Sequence, residues 1–561
     1  MNLSKRSAGR VIALLALAAP VFAANAQQLN WTSVANNSDI VPGGAPAATF
    51  SSYNQPSIND SGLVVFRARS REGMSQQVDG IYQRSLFPPG PIVKLLTRGD
   101  AVPDPNNTSY TGVPAGFLEF PATPRIDATS NLIAVRGQHQ PVWTYLLGTT
   151  ETRIGTAGIY AFPNGVPVTG ASLLGSAVEL DQVTLSFPWF SVPGALLGTR
   201  FDQFPGPTAV ADGRYIIYKG NYTDPVDGLG RTGIYFRDVV GTMPIPYTGL
   251  IASSNMLIPN QPAGGTVKFG STAPPSAANG FVYFTGLDIE EAPTLGGIYR
   301  APIAAMPALQ VVVGIGDQVP GEAPGTGFGA FGEALSLNSD GSRMAFWASW
   351  GTETFQKTLL CPVDGNPDLI AYCNQIHPTG LVVDIPVNQG VFVYDLATQA
   401  VDPVARTGRE GVEDMLFWVF SGRPPGVGGS IEPGEELARW RAGSFVALNA
   451  PAAGPVQVVF KAERNGTNGL YLREGTVNGL PLMTVAEVGS TSGTLIDPLA
   501  PAGSLVSAVG VERDGFRNGR LAVTVSMLYV DPVDPDNTLG WAGIYYSPVR
   551  VEGLFRDGFE D

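Results

Sequence analysis

Asn59-Asp60-Ser61-Gly62-Leu63-Val64-Val65-Phe66, then Gly80-Ile81-Tyr82, then Leu95-Leu96-Thr97-Arg98-Gly99-Asp100-Ala101-Val102-Pro103, form one unit of a pattern that recurs along the chain. Its first part is a turn rich in Asn, Asp and Gly that leads into a short strand. Such pairs tolerate the positive φ angles of tight hairpins. Asn338-Ser339-Asp340-Gly341 before Met344-Ala345-Phe346, Ala211-Asp212-Gly213 before Tyr215–Tyr218 and Ala278-Asn279-Gly280 before Phe281–Phe284 repeat it. The second part returns as Gly158-Ile159-Tyr160, Gly233-Ile234-Tyr235, Gly297-Ile298-Tyr299, Gly390-Val391-Phe392, Gly469-Leu470-Tyr471 and Gly543-Ile544-Tyr545, at intervals of 78, 75, 64, 93, 79 and 74 residues. The third part is plainest again at Val313-Gly314-Ile315-Gly316-Asp317-Gln318-Val319-Pro320.

Seven copies of the middle marker predict seven sheets. The offset of the ends predicts how they close. The chain carries a back half of the unit at its start, Trp31-Thr32-Ser33-Val34 with Asn36–Pro42, and ends after Tyr545 with only a front half. The halves balance if the N-terminal strand joins the last sheet, which leaves no terminal edge to aggregate. An open solenoid would need capping repeats, and none is visible. A transmembrane barrel would need longer alternating strands with an outward apolar band. The expected fold is therefore an all-β, seven-bladed β-propeller closed by pairing of the N-terminal strand with the C-terminal blade.

Composition agrees. With 69 Gly, 47 Pro, 44% hydrophobic and only 15% charged residues, the chain suits many short strands joined by turns. Residues 1–26 read as a secretory signal: Lys5, Arg6 and Arg10, an apolar run from Val11 to Ala24, and Ala24-Asn25-Ala26 as a cleavage site. The expected layout is a signal peptide at 1–26, a propeller at 27–553 and a short tail at 554–561. Losing residues 1–26 takes the net charge from −14 to −17, which argues against nucleic acid and anionic membranes. No later segment is apolar enough for a transmembrane helix. A secreted or cell-surface monomer is expected, with the periplasm as the alternative.

Asn59–Phe66 and Asn338–Phe346 resemble the NxxGxxAF-type tandem repeat of large secreted bacterial proteins. Residues 336–349 resemble the Asp-Gly-x-x-x-Ala-Phe motif of TolB-like propellers. Asn59–Phe66 departs from the motif with Val65 in place of Ala, and Asn338–Phe346 carries one extra residue. The resemblance implies a propeller and an exported location, and no activity. The tail Leu554–Glu560 resembles a C-terminal signature of exported proteins.

Antiparallel order within each sheet puts the second-to-third-strand loops and the blade-to-blade crossovers on one face. The long segments Pro103–Pro124, Gln182–Pro207, Ser349–Gln389 and Phe420–Ala442 fall there. Long loops on a rigid scaffold are the expected place for binding. Two loops, Tyr222–Asp227 and Tyr529–Asp534, put Asp224, Asp227, Asp531, Asp534 and Asp536 forward as candidate Ca²⁺ ligands. Asp-Pro pairs are also simple turn formers. Asp288, Glu290 and Glu291 form a third acidic loop.

Cys361 and Cys373, the only cysteines, are expected to form a disulfide. His377 nearby admits a metal site, but one short of ligands. Catalytic residues are not assignable: His139 and His377 are the only histidines, and no G-x-S-x-G elbow occurs. Gly327–Gly332 fits G-x-G-x-x-G without the helix a dinucleotide site needs. The reading that follows is an exported non-catalytic binding or interaction protein, taking a protein or glycan on the long-loop face, with loop aromatics such as Trp189 and Trp350. The alternatives are a carboxylate-based polysaccharide hydrolase or lyase, with or without Ca²⁺, and a structural cell-envelope component.

Overall fold

A computed structural model describes residues 29–549, apart from 73–75, 104–114, 140–142, 148–149, 155, 175–177, 181–182, 186–189, 197–198, 242–247, 364–365, 427–435, 452–453 and 477–479. Residues 1–26, read above as a signal, the tail 554–561 and Trp189 lie outside the described residues.

The chain is a seven-bladed propeller. Each blade is an antiparallel sheet in the order A–B–C–D. In blade 1, strand A is split into Phe50–Tyr53 and Ser57–Ile58, followed by B (Leu63–Glu72), C (Gln76–Ser85) and D (Val93–Thr97). Pro56, Pro124 and Pro274-Pro275 sit between the halves in blades 1, 2 and 4, where a ladder N–H is lost. The second halves of strand A are Ser57–Ile58, Arg125–Ile126, Ala209–Ala211, Ser276–Ala278, Ser336–Leu337, Val446–Asn449 and Phe516–Arg517. They touch in that succession, and the last returns to the first. These seven short segments surround the axis.

The Gly-Ile-Tyr markers form strand C of every blade, and the geometry explains them. Side chains two apart share a strand face, so the ring of the third residue folds over the first. A Cβ would come within 2.6 Å of the Tyr82 hydroxyl at Gly80 and within 2.8 Å of the Tyr235 hydroxyl at Gly233. In five blades this ring meets, edge-on, a phenylalanine of strand A or of the segment leading into it: Phe50–Tyr82 at 4.9 Å, Phe117–Tyr160 at 4.8 Å, Phe201–Tyr235 at 4.9 Å, Phe269–Tyr299 at 5.2 Å and Phe328–Phe392 at 5.2 Å. Such a pair adds about 0.5–1.5 kcal/mol beyond its buried area. The apolar core is a ring of layers, one between each pair of neighbouring blades. The layer between blades 7 and 1, for example, joins Val34 and Ile544 to Val64 and Phe66.

Closure is as the offset requires. Thr32–Asn36 supplies strand D of blade 7 and pairs antiparallel with Thr538–Pro548, Thr32 opposite Tyr546 and Asn36 opposite Gly543. Asp497, from the crossover between blades 6 and 7, locks the join. Its Oδ2 accepts from Asn36 Nδ2 at 2.8 Å, Trp541 Nε1 at 2.9 Å and the Tyr545 hydroxyl at 2.9 Å. Asp497 is only 2% exposed, so removing it strands three donors away from water. Asp497→Ala is expected to lose about 3–5 kcal/mol of stability, and Asp497→Asn distinctly less. Denaturant unfolding checks this; a loss in Asp497→Ala no larger than in Asp497→Asn would remove the lock.

Candidate functional site

The propeller axis has three zones. The middle is closed by charge. Arg125 of blade 2 donates through Nε to Asp514 Oδ2 of blade 7 at 2.5 Å, and Arg517 donates to Asp514 Oδ1 at 2.6 Å. The same arginines, with Arg513, reach the carbonyls of Pro275 at 3.1 Å, Leu448 at 3.4 Å and Glu333 at 3.2 Å, on blades 4, 6 and 5. Burial pushes the Asp514 carboxyl up, but Arg125 and Arg517 overcome that and hold it below the ordinary range. Burial lowers the Arg513 pKa, Arg125 lowers it further, and Glu512 opposes both. This network ties blades 2, 4, 5, 6 and 7 together.

On the tight-turn face a cavity of about 300 Å³ opens among Asp60, Asn338–Asp340, Leu448–Pro451 and Phe516–Asn518. Sequence reasoning assigned function to the opposite face and did not anticipate this hollow. Its polar rim is largely self-satisfied: Ser339 Oγ donates to Asp60 Oδ1 at 2.7 Å, and Asn518 Nδ2 to the Asp60 carbonyl at 3.1 Å. The Asn338 and Asn449 side-chain oxygens accept from the amides of Arg343 and Gly519.

On the long-loop face, two insertions meet over the axis. The first is an arm of blade 5, formed by Arg343–Leu359 and Leu381–Asp395 with helix α1 (Pro367–Ile376) at its tip. Asn366 caps α1, its side chain accepting from the Asp368 and Leu369 amides, with Pro367 opening the first turn. Cys361 and Cys373 form the expected disulfide, which pins α1 to the strand end. The second insertion, the hairpin Phe417–Ser421 and Arg439–Gly443, interrupts the innermost strand of blade 6. Cys373 packs with Phe420 and Ala438 of that hairpin, and the His377 ring lies edge-on to Phe420 at 6.2 Å. The arm thus braces the hairpin.

From there the hairpin crosses the axis to blade 2, on the far side of the ring. Arg423 donates to Glu119 Oε1 at 3.2 Å, and Arg136 donates to Glu436 Oε1 at 3.2 Å. Arg441 also pairs with Glu436, at 2.6 Å. Beside Glu119, Arg67 and Arg69 of blade 1 face Asp79, at 2.8 Å and 3.8 Å. Under the hairpin's base, the Lys461 ammonium lies 4.3 Å from the Phe417 ring centre and 5.4 Å from that of Phe445. Burial pushes its pKa down to about 8.

The residues put forward as Ca²⁺ ligands lie in the loops expected of them, where the carboxylates of Asp224, Asp227 and Asp531 accept from turn amides. Asp224 accepts from the Val226 amide at 3.0 Å and Asp227 from the Leu229 amide at 2.9 Å; Asp227 also pairs with Arg231. Asp531 accepts from the amides of Val533 at 2.8 Å and Asp534 at 3.4 Å, and Asp536 lies in the same turn region. Asp288 is likewise occupied by the amides of Ile289 and Thr294. Among the described residues, no group of three or more His, Cys, Asp or Glu is placed to hold a metal ion.

His139 is buried in blade 2, edge-on to Phe117 and Tyr160 at 6.2 Å each. Trp350 is a correction. It is not a loop aromatic but is buried in the layer between blades 4 and 5, because the long strand B carries it back against Phe392. Gly327–Gly332 lies on strand A of blade 5 and the turn after it, with no helix following. Among the described residues no helix is long and apolar enough to cross a membrane.

No protein-family model and no curated protein matches the sequence. Solved structures with a similar course include an acylaminoacyl peptidase in complex with Z-Gly-Gly-Phe-chloromethyl ketone, at 10% identity and TM-score 0.35, covering 90% of this chain and 53% of that one. The acylaminoacyl peptidase of Pyrococcus horikoshii, uncomplexed, gives 10% identity and 0.34, covering 89% and 53%. An α-L-arabinofuranosidase from Podospora anserina, in complex with cellotriose, gives 8% and 0.25, covering 67% and 95%. The chain spans about half the length of the peptidases it matches. These scores carry nothing about chemistry.

Two outcomes follow from this geometry. The folded pKa of Asp514 is depressed, so its stabilisation is complete above the ordinary value of 3.8 and fades as pH falls below it. Asp514→Asn should cost about 3–5 kcal/mol at neutral pH, as expected for breaking a buried pair, and should flatten the acid limb. Melting temperature against pH reads both, and an unchanged acid limb would remove Asp514 from the account. Replacing Cys361 and Cys373 by Ser releases a crosslink worth about 3 kcal/mol for so short a loop. Hydrogen exchange should then show α1 amides losing protection while the blade 5 core keeps its own; a uniform loss across the blade would contradict a local brace.

Proposed function

We propose that this chain is an exported binding protein, of the tandem-repeat kind its motifs resemble, that holds its ligand at the long-loop mouth without catalysis. One observation carries the reading: the largest described insertions converge on one end of the axis, and a disulfide-pinned helix braces the hairpin across it. Rigid support under an irregular surface is what a preorganised binding site needs. The described polar groups there are joined as arginine–carboxylate pairs, not as nucleophile and base. A mouth spanned by a hairpin suits a slim ligand such as a glycan chain.

A second reading keeps one specific support. Glu119 of blade 2 and Glu436 of the hairpin both act on Arg136, and a pair of carboxylates is the equipment of glycoside cleavage. Affinity electrophoresis of the full chain through polygalacturonate, xylan and β-glucan gels separates the two. The binding reading expects retardation by at least one polymer, no new reducing ends, and loss of retardation when Phe417–Gly443 is replaced by a Gly-Ser turn. Retardation that survives that replacement overturns it. Release of reducing ends that disappears in Glu119→Gln or Glu436→Gln installs the hydrolytic reading instead.

A further inference from the structure

Lys357, on strand B of the blade 5 arm, touches two acids of blade 6. Its Nζ donates to Asp414 Oδ2 at 2.8 Å and to Glu463 Oε2 at 3.4 Å. The acids face each other on neighbouring strands, Asp414 in Val412–Asp414 and Glu463 in Gln457–Arg464. The Asp414 side chain is only 3% exposed, against 35% for Lys357 and 30% for Glu463. Its other oxygen, Oδ1, accepts from the Leu416 amide at 2.9 Å and from Gln389 Nε2 at 3.0 Å. Gln389 is fully buried, and its Oε1 accepts from Trp347 Nε1 at 3.3 Å and the Met415 amide at 3.0 Å, so its Nε2 end faces Asp414. Lys94–Asp100, the other lysine–carboxylate pair among the described residues, has an acid 32% exposed and no second carboxylate at its ammonium. Around Lys357, by contrast, every part of an acyl transfer to an amine is in place. The amine touches a carboxyl, a second carboxylate touches the same amine, and two fixed N–H donors face the oxygen on which negative charge gathers. Holding such groups in contact is worth an effective concentration of about 10⁵–10⁸ M.

We infer that Lys357 and Asp414 condense into an amide that joins the blade 5 arm covalently to blade 6. Burial lowers the Lys357 pKa, but the hydrogen bond and charge of Asp414, with Glu463, outweigh it, so the reaction starts from an ion pair. Glu463 takes one proton from the ammonium and passes it to Asp414 Oδ2. The freed nitrogen lone pair attacks Asp414 Cγ and forms the N–C bond, while the Leu416 and Gln389 N–H groups hold the charge on Oδ1. A second proton moves from nitrogen through Glu463 to Oδ2, the Cγ–Oδ2 bond breaks, and water leaves. Ammonium and carboxylate thus become amide and water, without oxidant or cofactor, and a pair of charges held partly out of water disappears. It happens once per molecule. The bond lies three residues before Phe417, so it anchors the root of the blade 6 hairpin whatever ligand the mouth takes.

Mass spectrometry of the full chain, reduced and denatured, tests this. The parent is expected to weigh one water less than its sequence requires. Digestion should then yield a branched peptide that joins the segments carrying Lys357 and Asp414. Lys357→Arg and Asp414→Ala should each show their full calculated mass, and Lys94→Arg should keep the loss of water. Glu463→Gln should leave most chains unjoined at harvest. A parent of full mass overturns the amide, and that result depends on no variant folding. A loss of water that survives in Lys357→Arg overturns it too, as does a branch that maps to Glu463 in place of Asp414. Glu463→Gln joined as completely as the parent overturns the proton route.

Discussion

Everything in this molecule depends on one strand pairing: Thr32–Asn36 against the third strand of the last blade. Without it, blade 7 lacks its outer strand and the layer between blades 7 and 1 loses Val34 and Ala35. The axial network depends on it too, since Arg125 of blade 2 meets Asp514 of blade 7 only when the ring is complete. Asp497 joins the two chain ends chemically, with donors from residues 36, 541 and 545 on one carboxylate oxygen. Closure is thus a hydrogen-bonded ladder, an apolar layer and a buried polar lock acting together.

A closed ring also divides labour between its two ends. The tight-turn end is compact because its turns are short and bond to one another, as when the Asp60 amide donates to the Ala128 carbonyl of the next blade. The other end receives every crossover and every second-to-third-strand loop, so it can grow without disturbing the blades. Growth there is not random decoration. The arm of blade 5 and the hairpin of blade 6 share Cys373, Phe420 and Ala438 as a small separate core, and Lys357 ties the arm to Asp414 at 2.8 Å. Such a core limits the hairpin's freedom and sets its arginines and carboxylates over the axis.

Much of this architecture is legible in the residues themselves. Gly-Ile-Tyr declares strand C because an aromatic ring folded over its own strand tolerates only glycine two positions back. The third marker declares the crossover: Asp100 and Asp317 each accept from the backbone amide three residues earlier, Thr97 at 2.7 Å and Gly314 at 2.6 Å, and Asp39 does the same for Asn36. That shared turn is why the first described residues could be recognised as the back half of a repeat. The disulfide was legible from the count and spacing of the cysteines. The acidic loops were legible as turns or ligands, and Asp224, Asp227 and Asp531 each accept from a turn amide. Trp350 was misjudged as a loop aromatic because nothing local reveals that strand B of blade 5 continues through it.

The number of blades, their strand order, the circular closure and the face that carries the insertions all follow from local markers and their spacing along the chain. Which insertions meet is set by the folded ring. Arg423 and Glu119 are 304 positions apart, Arg136 and Glu436 are 300, and Arg125 and Asp514 are 389. No periodicity records such pairs, because a ring brings distant blades face to face across its axis, a relation the linear order does not contain.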